Sequence, residues 1–241
     1  FIVNNADIKA LLFESAEQWQ SLCTVSDQLT GVKCFVSIDN VTNSGDARLH
    51  SMADFLPDTA QLRAAPPCEM GELASIIYTS GTTGKPKGVM LSHGNMLSNA
   101  YATLEIFTVR EEDVFISFLP LSHTFERTLG YYLTVMTGSV VAFARSIPQL
   151  SEDLQTIHPT IMISVPRIYE RVYGAIHTKL NEGSPLKRKL FKLAVDVGWA
   201  RFEHQQGRGA WKPGFLLWPI LQKLVAQKIM DKLGGHLRAA F

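Results

Sequence analysis

Short apolar runs alternate with helically spaced apolar positions along this chain. Lys9-Ala10-Leu11-Leu12-Phe13 and Lys33-Cys34-Phe35-Val36-Ser37-Ile38 predict buried strands, and a short helix through Trp19 to Leu22 follows the first. Asn43-Ser44-Gly45-Asp46 reads as a polar loop, Met52 to Leu62 as a helix, and Ala64-Ala65-Pro66-Pro67 as a linker. Ile76-Ile77-Tyr78 predicts a buried strand. Ser92 suits a helix N-cap ahead of Met96, Ala100, Leu104 and Phe107. Val114 to Leu119, ended by Pro120, predicts another strand, and Phe125, Leu129, Tyr132, Leu133 and Met136 an amphipathic helix. Two more strands follow, at Ser139 to Phe143 and Ile161 to Val165. The pattern then turns helical. It carries Ile168, Val172, Ile176 and Leu180, next Leu186, Leu190, Leu193 and Val197, and last Leu217, Leu221, Val225 and Ile229. Leu237 to Phe241 reads as a strand beginning. This alternation predicts an α/β fold with a mostly parallel sheet, flanking helices and a helical, basic C-terminal part. The expected divisions are a partial α/β segment over 1–63, an α/β core over 68–178, and a helical basic segment over 179–241 that leads into a truncated strand.

The strand at Ile76 enters the most chemically loaded stretch, Tyr78-Thr79-Ser80-Gly81-Thr82-Thr83-Gly84-Lys85-Pro86-Lys87-Gly88. Glycines let a backbone turn tightly and approach a ligand closely. Successive loop amides can form an anion-binding nest, to which this loop adds four hydroxyls and two lysines. That equipment suits polyphosphate. The helix capped by Ser92 is expected to start close by and to add its positive end. Walker spacing fails, because five residues beyond Gly81 stands Pro86 and five beyond Gly84 stands Val89. A dinucleotide fingerprint fails as well, and an ordinary polar strand-to-helix turn is the plain alternative.

The run from Tyr78 to Gly88 closely resembles the signature loop of the adenylate-forming superfamily, which includes acyl-CoA synthetases, luciferases and the adenylation domains of peptide synthetases. The resemblance implies that Thr79, Ser80, Gly81, Thr82, Thr83, Gly84, Lys85 and Lys87 hold the β- and γ-phosphates of ATP while a carboxylate attacks the α-phosphate. Phe118-Leu119-Pro120-Leu121-Ser122-His123-Thr124-Phe125-Glu126-Arg127 lies where a strand gives way to a helix, a usual ligand position in open α/β sheets. By position alone a lone histidine such as His123 is more often structural than catalytic. The segment resembles the second core motif of acyl-CoA synthetases, more closely the long-chain branch, and this implies that His123 lies at the acyl pocket or its gate. Val165-Pro166-Arg167-Ile168-Tyr169-Glu170-Arg171 also resembles that branch, while its charges read as a solvated helix face.

Net charge is +1, yet residues 179–241 hold twelve Lys/Arg against four acids. That asymmetry suggests an anionic partner for the tail. Trp199, Trp211 and Trp218 accompany the basic residues, so the tail fits a peripheral membrane contact, attraction for CoA phosphates, or a solvated face over buried tryptophans. No apolar run approaches the ~20 residues that span a bilayer. Cys23, Cys34 and Cys68 have no metal-ligand spacing and suit a reducing compartment, packed or idle.

The reading that results is the central part of the large N-terminal portion of a long-chain fatty acyl-CoA synthetase. Its implied substrates are ATP, a fatty acid and CoA, with Mg²⁺ and without nucleic acid. The implied location is cytoplasmic, with a peripheral contact at the inner face of a membrane through 179–241. Neither a catalytic residue nor a metal ligand is assigned within the chain. The motifs that complete the site are expected beyond Phe241, so the chain alone is expected to be inactive. Two alternatives stay open, adenylation of an aryl or amino acid and a non-catalytic ATP- or acyl-binding module. A Walker-type hydrolase is disfavoured by spacing.

Overall fold

The computed structural model describes residues 1–41, 45–56, 65–81 and 84–241, and the chain divides into two units, residues 1–95 and 96–241. In the first unit, β1 (Ala10–Phe13), β2 (Cys34–Ser37) and β3 (Leu49–Ser51) form a parallel sheet in that order. The helix α1 (Ala16–Cys23) starts at Ser15, whose hydroxyl accepts from the Gln18 amide. It brings Trp19 to stack on Phe13 with ring centroids 5.4 Å apart and to meet Phe35 edge-on at 5.3 Å. Leu29 and Val32 complete that core. Leu12, on the opposite face, is more than half exposed, so β1 is not the fully buried strand expected. One helical turn, Met52–Phe55, begins the helix expected to reach Leu62; residues 57–64 lie outside the described residues, as do 42–44 of the polar loop.

The strand at Ile76 departs from expectation. It is β4 (Leu73–Thr79), which pairs antiparallel with β5 (Lys87–Ser92) in a two-stranded ribbon, and Ile76, Ile77 and Tyr78 are half-buried. An isolated hairpin has only one face to cover, so an apolar run here does not signal the two-sided burial of a parallel strand.

The second unit is built on β6 (Val114–Ser117). It pairs in parallel with β7 (Val140–Phe143) on one side and β8 (Ile161–Met162) on the other, and β9 (Ala239–Ala240) extends the sheet beyond β8. Alternate residues of β6 face opposite layers. Phe115 packs with Ala100, Leu129, Leu133, Ile161 and Ile163, while Ile116 packs with Leu150, Leu154 and Met162. A continuous apolar run is what a strand covered on both faces requires. One layer comes from α2 (His93–Ile106), α3 (Thr124–Glu126) and α4 (Leu133–Thr137), the other from α5 (Leu150–Ile157). The helical tail comprises α6 (Pro166–Asn181), α7 (Pro185–Gln205), α8 (Trp218–Leu221) and α9 (Gln227–Lys232). The last helix, expected from Leu217 to Ile229, runs without interruption from Trp218 to Lys232, preceded by a 3₁₀ stretch at Pro213–Leu217 and widened into a π stretch at Gln222–Ala226. Pro213 and Pro219 each begin a new segment, where a missing amide costs nothing.

Asp113 holds the amino ends of three strands. Arg238, just before β9, donates from Nε to its Oδ1 at 2.8 Å and from Nη2 to its Oδ2. Thr160, just before β8, donates its hydroxyl to Oδ1 at 2.7 Å and accepts from the Val114 amide at 3.0 Å. The Arg110 amide supplies a further donor at 2.8 Å. The Arg238 guanidinium also lies over the Phe107 ring, 4.8 Å from its centroid. The Arg238 bond, outweighing burial, holds the Asp113 carboxyl well below the usual carboxylate range. Its contribution to stability is therefore full above the unfolded value near pH ~4 and is lost as pH falls toward the lower folded value. Asp113→Asn should cost about 2–3 kcal/mol at pH 7, somewhat less than breaking a fully enclosed pair, because Arg238 is partly solvated. The difference from the parent should shrink below pH ~4. Urea unfolding of the two proteins at pH 7 and at pH 3 measures both effects.

Candidate functional site

The signature residues of the first unit gather at the tip of the β4–β5 hairpin. Thr79 and Lys87 form its last pair, so Lys87 and Gly88 belong to a strand rather than to the loop. The loop turns on backbone bonds. The Gly81 amide donates to the Thr79 carbonyl at 2.9 Å, and the Gly84 amide donates to the Gly81 carbonyl at 3.3 Å. Gly84 adopts φ +87°, a left-handed conformation that favours glycine. A Cβ at Gly81 would stand 2.8 Å from the Lys85 carbonyl oxygen, which leaves no room for any other residue. Gly88 is equally constrained, since a Cβ there would come within 2.8 Å of Ile76 Cγ2 and 3.1 Å of the Tyr78 ring.

Thr79, Ser80, Gly84, Lys85 and Lys87 are exposed, and neither lysine makes an ion pair among the described residues. The hairpin thus brings two cations, two hydroxyls and a bare backbone to one tip. Thr82 and Thr83 lie outside the described residues.

One expectation fails here. Ser92 does cap α2, accepting from the Asn95 amide at 3.1 Å while Asn95 Oδ1 accepts from the Ser92 amide at 3.0 Å. But Ser92 pairs with Leu73 at the far end of the hairpin. Six residues of β5, about 20 Å of strand, separate the helix start from the loop. A helix terminus acts within its first turn, so this helix adds nothing to any anion-binding capacity of the loop.

In the second unit, His123 follows β6 in the segment 118–125 and is exposed. It caps α3, its Nδ1 accepting from the Phe125 amide at 3.3 Å. In the neutral ring this leaves the proton on Nε2. Three residues on, Glu126 is completely buried, and its Oε1 accepts from the Ser117 hydroxyl at 2.6 Å. Oε2 has no hydrogen-bond partner among the described residues. Burial pushes the carboxyl above its ordinary pKa, against the opposing pull of the Ser117 bond. Gly130 makes room for this side chain, since a Cβ there would lie 2.8 Å from the Glu126 Cδ. From Arg127 to Tyr132 the helix widens into a π turn, a feature frequent at functional sites.

The Phe118–Arg127 motif names Glu126, but nothing in it marks that residue as buried. Gly130, a helix-interior glycine, was the available signal, and Ser117 carried none. Arg167, Glu170 and Arg171 are exposed on α6, as a solvated face requires. Cys23 and Cys68 are exposed and Cys34 half-buried, all three as free thiols.

Residues 1–208 match the family model described as AMP-binding enzyme. The chain is 34% identical over 250 residues to "Long chain acyl-CoA synthetase 6, peroxisomal" of Arabidopsis thaliana, a match that takes in 99% of this chain and 34% of that protein. It is 32% identical over 251 residues to "Fatty acyl-CoA synthetase A" of Dictyostelium discoideum, over 99% of this chain and 35% of the relative. It therefore spans about a third of the length of these curated relatives. Among solved structures, ATP-bound MatB from Rhodopseudomonas palustris superposes with a TM-score of 0.58 at 23% identity, over 70% of this chain and 32% of that one. The N-terminal domain of FACL13 from Mycobacterium tuberculosis gives 0.59 at 21%, over 70% and 40%. The signature hairpin, the parallel α/β sheet and these matches lead to one conclusion: the chain belongs to the AMP-binding enzyme family.

Proposed function

We propose that this chain is part of a long-chain fatty acid–CoA ligase. In this reading ATP and a fatty carboxylate give an acyl-adenylate and pyrophosphate, and CoA thiolate then displaces AMP to give the thioester. The observation that carries the reading is the hairpin tip, where Lys85, Lys87, Thr79, Ser80 and the side-chain-free backbone at Gly84 are exposed together, with Gly81 half-buried beside them. These groups suit the β- and γ-phosphates. As the bond to the α-phosphate breaks, negative charge builds on the departing pyrophosphate, and preformed cations and donors stabilise that charge more than they stabilise bound ATP. Mg²⁺ enters with ATP as the counter-ion of its phosphates. His123, exposed beyond the carboxyl end of β6, is assigned to the acyl pocket or its gate. It need not act as a base, because a fatty carboxylate is already ionised near neutral pH. The long-chain relatives support the choice of acid.

The test is carboxylate-dependent exchange of labelled pyrophosphate into ATP by the full-length protein, with short, long and aromatic acids compared. Exchange should need a long-chain acid, and Lys85→Ala should lower it roughly 10²-fold while leaving the thermal midpoint unchanged. Exchange with an aryl or amino acid alone would keep adenylation and discard the fatty substrate. Absence of exchange with every acid would favour a binding module.

A second reading, a peripheral membrane contact, rests on exposed apolar residues of the tail. Trp211, Leu216, Leu217, Ile220 and Leu224 are exposed there, so the expectation of buried tryptophans fails for Trp211, as it does for Trp199. Between residues 204 and 230 the chain holds Arg208, Lys212, Lys223 and Lys228 and no acid. Exposed apolar residues with basic ones among them fit an anionic lipid surface. No helix among the described residues is long and apolar enough to cross a membrane. At about 1 kcal/mol per basic residue, Lys212→Gln with Lys223→Gln should weaken binding to phosphatidylserine vesicles about 30-fold in a sedimentation assay. Equal binding by the double variant and its parent would remove this reading.

A further inference from the structure

The buried bond between Ser117 and Glu126 joins the last residue of β6 to the last residue of α3. The segment between them, 118–125, carries His123 and is otherwise mostly exposed. Four features converge on this bond. The hydroxyl–carboxyl distance is 2.6 Å, and both residues are buried, Glu126 completely. Gly130 leaves the space the carboxyl occupies, and the π turn begins at Arg127, the residue after Glu126. A carboxyl placed in an apolar layer beside Leu129 and Leu133 is costly, and an aliphatic side chain would pack there without that penalty. Its presence asks for a use.

We propose that Glu126 is the positioning residue for His123: its bond to Ser117 closes the 118–125 segment and fixes where the histidine stands beyond the carboxyl end of β6. Phe118, Leu119 and Phe125 anchor the ends of the segment by packing on the core, and the Ser117–Glu126 bond adds a polar tie between the end of β6 and the first turn of the helix that His123 caps. The carboxyl acts as a hydrogen-bond acceptor for Ser117, so an amide of the same shape can replace it. The role in substrate binding rests on the acyl-pocket assignment of His123; the closure of the segment does not.

The experiment uses the full-length protein with Ser117→Ala, Glu126→Ala and Glu126→Gln. Backbone hydrogen exchange across 118–125 is read against α7 as an internal reference, and steady-state pyrophosphate exchange is read in parallel. In Ser117→Ala and Glu126→Ala the segment should exchange about tenfold faster while α7 is unchanged, as expected for loss of one hydrogen bond to a buried group. The KM for the fatty acid should rise about tenfold with the KM for ATP within about twofold, and Glu126→Gln should recover most of both losses.

Unchanged protection of 118–125 in Ser117→Ala overturns the closure. Lost protection with an unchanged KM for the acid overturns the positioning role and leaves a structural bond. If Glu126→Ala does not fold, Ser117→Ala decides both points, since it removes the bond and leaves the carboxyl. If the parent protein exchanges pyrophosphate with no acid, the ligase reading fails and the positioning role falls with it, while hydrogen exchange still decides the closure.

Discussion

One carboxylate, Asp113, organises the amino ends of β6, β8 and β9. It accepts from Arg238, Thr160 and the Arg110 amide, so residues far apart in sequence meet at one pair of oxygens. The strands it ties are very short, β8 and β9 having two residues each. Ladder bonds alone cannot specify register over such lengths, and side-chain anchors at the strand starts do that work instead. An ion pair in this place costs desolvation, which is offset because every lone pair facing the cluster finds a donor and Arg238 keeps part of its solvation.

The two ends of β6 follow different electrostatic rules. At Asp113 the charged form is favoured by a guanidinium and several donors. Four residues on, Ser117 meets a carboxyl whose burial favours the neutral form. A charge at the second place would need a counter-ion inside an apolar layer that contains Leu129, Leu133 and Phe115. The sheet therefore presents an ionic, permanently tied edge at its strand starts. The edge at its strand ends is less strongly tied, and that is the edge at which α/β sheets bind ligands.

The parallel sheet of the second unit was legible because its central strands, β6 and β8, are buried and its helices have clear periodicity, from Val114 through Ile163. Legibility failed where an apolar run had a different cause. Ile76 to Tyr78 looks like a core strand and is half of a ribbon, since periodicity cannot tell a strand's partner or direction. The apolar positions from Leu217 to Ile229 fit one helix, yet the backbone changes from 3₁₀ to α to π and back to α along them. Charge counting had a related blind spot. Arg238 belongs numerically to the basic tail, but Asp113 engages it and it adds little to any surface potential. The signature loop was recognisable because its residue types all lie within one hairpin. Glu126 was not readable as a buried group, because its meaning depends on Ser117 and Gly130, and only the fold shows how those three meet.

The two candidate sites illustrate opposite local designs. The hairpin tip spends few side-chain contacts on its own shape. Its glycines fit where a Cβ would collide, its turn is held by backbone bonds, and its lysines remain in water until an anion arrives. Under the proposed function this suits a loop that closes on a polyphosphate and releases it again, because an opening that breaks few contacts costs little. The segment around His123 does the reverse, leaving the histidine exposed while burying a carboxyl to hold its base. If His123 lines an acyl pocket, as proposed, it gains nothing from its own mobility, because any disorder in the segment would have to be removed on binding. The cost of burying Glu126 is then a cost of fixing His123 in advance.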